Sequence, residues 1–355
     1  MQHSINFKQL INKLNPIVQA PMFGVTTPEM VAAANKANCL GSLALGDLNA
    51  EKSIEEILKT KKLTNDTFAV NIFVHQLPKI TKELEEKYNL SKSFIEQLAQ
   101  VNQLDVVLPK LEEIKVNSYQ EQVDAIIDED CKILSFTFGN LDEVSIQKLK
   151  SNGTILIGTC TSLEEALTLE KAGIDCICVQ GWEAGGHRGS FVSENIPEIG
   201  GLSLLAKISE QVNIPIIYAG GIYNAKTFVA VQKLGASAVQ VGSLLLNSKE
   251  SGLHDFERER LKQVNEDEII LTKSFSGRYA RGIKNIFTST IDNSDYILPY
   301  PYQNKLTAAL RKIAKQNKNA DFTNIWVGQS ISHFSEKSTT DILLQFVEDI
   351  KLMKL

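Results

Sequence analysis

Eight short apolar runs punctuate the first 250 residues, each separated from the next by a stretch of helical character. They cover residues 17–20, 40–45, 68–74, 133–138, 155–160, 176–180, 214–219 and 238–246. Most are continuous and rich in β-branched residues rather than alternating, the pattern of parallel strands covered on both faces. The intervening segments carry helix signals. Thr27-Pro28-Glu29 supplies an N-cap, a first-turn proline and a first-turn acid. Thr161 with Glu164 fits a capping box, and that helix is expected to stop near Gly173. A further helix is expected from about Asn224 to near Gly235. Eight strands alternating with helices predict an α/β fold, a TIM (β/α)8 barrel.

Two regions break the repeat. Residues 77–129 are rich in Lys, Glu and Gln with scattered leucines, and read as a helical insertion between the third and fourth strands. After Asn247 the strand pattern fades. Residues 251–355 are therefore expected to form a mostly helical C-terminal region that packs on a barrel of residues 1–250 and closes its pocket. Ile342, Leu343, Phe346, Val347, Ile350 and Met353 make one apolar stripe, read as packing.

The chain has 355 residues, 43% of them hydrophobic and 22% charged, which is ordinary globular composition. Its net charge is −5 with no long basic run, so nucleic-acid binding has no support. No apolar stretch approaches a membrane span, and the N-terminal residues lack a signal peptide's apolar core. Cys39, Cys131, Cys160, Cys176 and Cys178 lie in or beside strand-like segments. Cys176 and Cys178 have the wrong spacing for the usual zinc or redox pairs. All five read as buried thiols of a reducing, cytoplasmic compartment, and no spacing supports a metal site.

The chemistry is concentrated after the sixth run, in Gln180-Gly181-Trp182-Glu183-Ala184-Gly185-Gly186-His187-Arg188-Gly189-Ser190. Glycines let the backbone approach a ligand, and histidine moves protons near neutral pH. In a barrel this segment lies at a strand's carboxyl end, where ligands bind. The competing reading is a glycine-rich turn with a surface ion pair. Barrels often hold a phosphate with the loops after strands seven and eight. Here those loops are Ala219-Gly220-Gly221-Ile222 and Gln240-Val241-Gly242-Ser243. Asn71, inside an apolar run, must find hydrogen bonds from a bound heterocycle or from a neighbouring backbone. Gln19, Gln180 and Gln240 are further amides at strand ends. Four amides and a phosphate cradle around one barrel mouth suit flavin mononucleotide (FMN). His3, His75, His254 and His333 have no convergent acid or cysteine and read as structural. Arg278 and Arg281 face anionic groups or pair at the surface, and Tyr300 and Tyr302 close the pocket or pack between helices.

These segments together resemble the nitronate monooxygenase family, once called 2-nitropropane dioxygenases. The resemblance rests on residues 16–30, with Gln19-Ala20-Pro21-Met22-Phe23-Gly24, and on Phe68-Ala69-Val70-Asn71 and Ser135-Phe136-Thr137-Phe138-Gly139. It continues through Gly158-Thr159, the Gln180–Gly189 segment, Ala219-Gly220-Gly221 and Val239-Gln240-Val241-Gly242. Phe275-Ser276-Gly277-Arg278, Ala280-Arg281-Gly282 and Tyr300-Pro301 carry it into the C-terminal region. The resemblance implies FMN contacts from Asn71, Gln180, Gly185, Gly221 and the run Gln240, Val241, Gly242, Ser243, with Pro21 and Met22 lining the flavin. It makes His187 the catalytic histidine.

The implied activity is FMN-dependent oxidation of nitronates or nitroalkanes by O2 to a carbonyl compound and nitrite, in a monomer or homodimer. The alternative is an FMN-dependent NAD(P)H reductase such as a flavin-type enoyl-ACP reductase, which shares the barrel, the Glu-Ala-Gly-Gly-His segment and the phosphate loops. Three departures stand out. Trp182 replaces a usually small residue, so the pocket near His187 is expected to be narrower or capped. Thr137 stands where some relatives carry a histidine, and Asn224–Thr227 replaces a glycine-containing stretch beyond the phosphate loop.

Overall fold

A computed structural model describes residues 7–193, 196–331 and 334–354. Its main sheet has eight parallel strands in the order β1-β9-β8-β6-β5-β4-β3-β2. These are β1 (Ile17–Gln19), β2 (Ser42–Gly46), β3 (Ala69–Phe73), β4 (Ile133–Thr137), β5 (Ile155–Cys160), β6 (Cys176–Gln180), β8 (Ile216–Ala219) and β9 (Ala238–Val241). The two ends meet where Leu40, just before β2, bridges Val18 in parallel and accepts the Gln19 N–H at 2.9 Å. The fold is thus the TIM barrel that the repeat predicts.

Alternate residues of each strand point into or out of the barrel. Val18, Ala69, Ile133, Ile157, Cys176, Cys178 and Ile217 form one buried cluster, with Phe7 and Ile11 of the short helix Phe7–Ile11 packed into it. Ile177, Val179, Leu134 and Val70 belong to a second cluster between the strands and their helices. The five cysteines are free and buried, and burial pushes the thiols of Cys39 and Cys178 up to about 12.

Local signals act largely as read. Thr27 caps the helix Pro28–Lys36 by accepting the Met30 N–H. The helix Leu163–Lys171 is capped one residue later than expected, by Ser162 accepting from Glu165. Thr161 instead donates its N–H to the Glu165 carboxylate. Asn224 caps the helix Ala225–Lys233, which spends that helix start on a side chain of the protein itself.

The helical insertion contains the helix Lys82–Val101. Its buried face (Leu84, Tyr88, Ile95, Ala99) joins Phe275, Phe287, Leu298, Tyr302 and Leu306 in a separate core. The helix Tyr119–Asp128 packs on the helix Ala50–Lys61 and belongs to the ring around the barrel.

Beyond β9 the chain leaves the barrel for a long excursion and then returns. The helix Thr339–Lys354 packs between Pro28–Lys36 and Ala225–Lys233, so it supplies the barrel's eighth helix. Its stripe (Ile342, Leu343, Phe346, Val347, Ile350) joins the barrel core, whereas Met353 is exposed. The excursion is not only helical. It contains β10 (Ile269–Thr272) and β11 (Ala280–Ile283), which form an antiparallel sheet with β7 (Gly186–His187) from the loop after β6. β7 spans only two residues, and β10 and β11 lie outside the strand–helix alternation by which the equally short β1, β8 and β9 were read.

Strand β4 ends in a conformation that bulky residues resist. Phe138 has φ +76°, and a Cβ on the following Gly139 would overlap the carbonyl oxygen of Val74. Backbone cannot yield as a side chain does, so Gly139→Ala should destabilise the fold by about 1–3 kcal/mol. A lowered urea midpoint with an unchanged m-value checks this.

Candidate active site

At the carboxyl ends of the barrel strands lies a cavity of about 970 Å³, at the upper end of the range for cofactor sites. Ala20, Pro21 and Met22 enter it from β1, Asn71 and Phe73 from β3, and Thr137 and Phe138 from β4. Gln180 and Gly185 to His187 follow β6, Gly220 and Gly221 follow β8, and Gln240, Gly242 and Ser243 follow β9. Of the residues expected at the cofactor, Val241 and the amide Gln19 do not line the cavity. The Val241 side chain points to the core between strands and helices, as strand alternation from Gln240 requires.

The motif after β6 divides into a clasp and a working face. Arg188 is buried and donates from Nη1 to the Gly181 carbonyl at 2.6 Å and from Nη2 to the Gln180 carbonyl at 3.1 Å. Glu183 accepts the N–H of Gly201 at 3.0 Å and the Tyr218 hydroxyl at 3.2 Å, capping the helix Gly201–Ser209. Neither forms the surface ion pair of the competing reading. Trp182 does not narrow the pocket. It lies outside the cavity with the guanidinium groups of Arg188 and Arg281 at 5.5 and 5.3 Å from its ring, and its carbonyl accepts from Arg281.

His187 is the part of the motif that faces the cavity. Its main chain pairs with Ala280 of β11, and Gln180 Nε2 donates to its carbonyl at 2.8 Å. Gln180 Oε1 accepts from Gly189, so this amide serves chiefly to shape the loop. The imidazole is edge-on to Phe138 and Trp326 at 5.5 and 5.4 Å, and its Nε2 lies 2.8 Å from Ser276 Oγ. Burial, reinforced by the positive charges of Arg278 and Arg311, lowers its pKa to about 3. The ring is neutral at physiological pH.

The glycine loops present backbone donors. Gly220 and Gly221 have φ +121° and +68°, and their N–H groups take no partner among the described residues. Asn71 Nδ2 donates to Ser135 Oγ at 2.8 Å, which leaves its carbonyl oxygen for a ligand. Gln19, by contrast, is fully buried and structural, accepting the Ser42 N–H and donating to Ala20 and Thr26.

The excursion supplies a wall whose residues, Tyr300 apart, the sequence did not single out. Tyr300, Lys305, Arg311, Trp326 and Gly328 all line the cavity. Gly328 seals the loop after β6 at backbone distance. A Cβ on Gly185 would overlap its nitrogen, Ser243 Oγ accepts its N–H at 2.9 Å, and Gln329 donates to the Glu183 carbonyl at 3.0 Å. Only the glycine itself hinted at such an approach. Of the residues read with two alternatives, Tyr300 faces the cavity, while Tyr302 donates to the Pro78 carbonyl. Arg278 lies 4.4 Å over the Phe138 ring and donates to the Ser190 carbonyl. His75 and His254 lie nearby, His75 stacked edge-on to Tyr300 at 4.6 Å. His3 and His333 fall outside the described residues. Among the described residues no group of acids, cysteines and histidines could hold a metal, and no helix is long and apolar enough to cross a membrane.

A barrel whose strand ends surround one deep cavity, with a neutral histidine and a glycine cradle facing it, defines an enzyme site. The comparisons specify which. The family model for nitronate monooxygenase matches residues 6–349. A probable nitronate monooxygenase of Staphylococcus saprophyticus is 37% identical over 342 residues, covering 94% of this chain and 95% of its own. The crystal structure of nitroalkane oxidase from Streptomyces ansochromogenes superposes with a TM-score of 0.87 at 31% identity, covering 98% of this chain and 99% of that one. FabK from Thermotoga maritima, at 24% identity and a TM-score of 0.75 over 98% of this chain and 96% of its own, shares the fold. The chain belongs to the nitronate monooxygenase family and is an oxidoreductase.

Two depressed histidines give the fold a pH dependence. His75, desolvated, is lowered to about 4 and His187 to about 3, against an ordinary value of about 6.5. As pH falls below about 6.5 the unfolded chain binds protons that the folded one refuses, so stability is lost on acidification. Urea midpoints at pH 7 and pH 5 should show this. His75→Asn should shrink the loss by on the order of 1 kcal/mol.

Proposed function

We propose that this chain oxidises alkyl nitronates, propionate 3-nitronate among them, with FMN as cofactor and O2 as electron acceptor, and releases a carbonyl compound and nitrite. The observation that carries the reading is that one cavity gathers the unpartnered N–H groups of Gly220 and Gly221, the free carbonyl of Asn71 and the neutral imidazole of His187. Those groups fit a flavin mononucleotide. Backbone donors at positive φ accept a phosphate closely, and Asn71 with Gln240 presents amides to a ring of carbonyl and N–H groups. When bound, FMN supplies the electron transfer.

The residues of the chain orient the substrate and handle its proton. In the ligand-free cavity burial holds His187 as the neutral imidazole. It can accept a proton from the acidic carbon of a neutral nitroalkane or hold an oxygen by one hydrogen bond. Ser276 Oγ, which also contacts the Arg278 carbonyl at 3.1 Å, fixes the ring's orientation. Phe138, Trp326 and Phe73 make the surrounding wall apolar and limit water around the reacting carbon.

Anaerobic mixing separates this activity from a reductase. Flavin-loaded protein should be bleached by ethyl nitronate and not by NADH. The opposite pattern supports a nicotinamide-dependent reductase. His187→Asn should retain FMN and lose about 10²–10⁴-fold in turnover of neutral nitroalkanes, with a smaller loss on preformed nitronates. Steady-state rates on both forms decide it, since equal losses exclude proton transfer by His187.

The cradle is tested separately. Asp tolerates a left-handed backbone better than most residues, and a Cβ on Gly221 meets Glu183 only at 3.6 Å. Gly221→Asp should therefore fold yet repel the phosphate. FMN affinity, measured by fluorescence titration of the apoprotein, should fall at least tenfold.

A further inference from the structure

Three phenylalanine rings run in a row from the open side of the cavity to His187, and all three line it. Phe23, from the loop after β1, is 42% exposed. Its ring rests on bare backbone at the end of β2, where a Cβ on Gly46 would fall 2.6 Å from it. Phe73 follows at 5.8 Å between ring centroids, Phe138 lies 4.7 Å beyond Phe73, and His187 is 5.5 Å beyond Phe138. The backbone sets this order. Phe73 stands two residues after Asn71 on β3, so both side chains face inward, with Phe73 nearer the strand's carboxyl end. Its register partner on β4 is Thr137, which puts Phe138 directly alongside. Phe138 is pinned there by its φ of +76° and by the Arg278 guanidinium 4.4 Å over its ring. None of the three side chains carries a polar atom, and proton handling by His187 leaves the exposed Phe23 without a part to play.

We propose that Phe23 and Phe73 form a channel for the alkyl chain of the substrate and make the enzyme favour nitronates with longer apolar chains over ethyl nitronate. The channel rests on the reading above, and it names which alkyl nitronates the site prefers. With the reacting carbon beside His187, a chain that leaves along the row meets Phe138 and Phe73 first and Phe23 last. Covering an exposed aromatic ring with a methylene chain removes both from water, which is favourable for each. A methylene that is fully buried adds about fourfold to affinity. The charged groups along the cavity do not contribute to this gradation, because methylenes carry no charge.

Straight-chain alkanoates are unreactive and share one head group, which cancels from their ratios. In calorimetric titrations of the FMN-loaded protein, affinity should rise at least about twofold with each added methylene from propionate through pentanoate to heptanoate. Phe23→Ala should remove most of the gain of heptanoate over pentanoate, and Phe23→Leu, which restores apolar bulk, should recover most of it. Phe23 lies at the surface, so both variants should keep the wild-type melting temperature to within a few degrees. In steady-state kinetics, kcat/KM should climb from ethyl through butyl to hexyl nitronate, and Phe23→Ala should level the last step. Affinity that does not grow with chain length, growth that Phe23→Ala leaves intact, or a Phe23→Leu variant no better than Phe23→Ala overturns the channel. Growth that Phe23→Ala removes, in a protein whose flavin no nitronate reduces, would refute the proposed activity and leave the channel standing. A flavin bleached by ethyl nitronate in a protein without any chain-length dependence would do the reverse.

Discussion

The site depends on a two-residue strand. Gly186 and His187 pair with Arg281 and Ala280 across the barrel mouth, and Arg188 donates its N–H to the Tyr279 carbonyl at 2.8 Å. This small ladder joins a loop of the barrel to the excursion, and it fixes the imidazole from both sides with the help of Gln180. Gly185 against Gly328 makes a second join that tolerates no side chain. The buried Arg188 locks the base of the loop to the end of β6. Without these contacts the histidine would sit on a free glycine-rich loop, and effective catalysis needs reacting groups held in place.

The electrostatics follow from the same enclosure. Walls contributed by two separate parts of the chain remove the imidazole from bulk water, and burial is the largest cause of its depressed pKa. The same walls keep the Arg311 and Tyr300 donors dry, which strengthens any interaction they make. Phe138 is forced to φ +76° where β4 ends and lies between His187, Tyr300 and Arg278. Strained backbone of this kind is tolerated where its surroundings over-determine it, and here three aromatic or cationic neighbours do so.

How much was legible varied with the range of the signal. Strands such as 133–137 and 176–180 stood out because burial on both faces demands continuous apolar residues. The glycine loops and His187 stood out because few other segments place such residues directly after a buried strand. The end of the eighth strand was overextended, since the apolar Leu244 and Leu245 belong to a short 3₁₀ turn rather than to β9. Val241 was drawn into the site by its neighbours, although alternation turns its side chain away. Arg311 left no mark, because a basic residue in an amphipathic helix reads as surface until the fold shows what covers it. Trp182 misled for a related reason. Its size suggested obstruction, but its partners, Arg188 and Arg281, lie far along the chain or on the outer side of the loop.

The detour between β9 and the helix that completes the ring bears on how the molecule is made. A ribosome delivers Gly242 to Ser338 before it delivers the helix Thr339–Lys354, an interval on the order of ten seconds at 5–20 residues per second. During that time the groove between the helices Pro28–Lys36 and Ala225–Lys233 lacks the helix that brings Phe346 edge-on to Phe228. The wall of the active site is thus synthesised before the barrel it rests on is sealed.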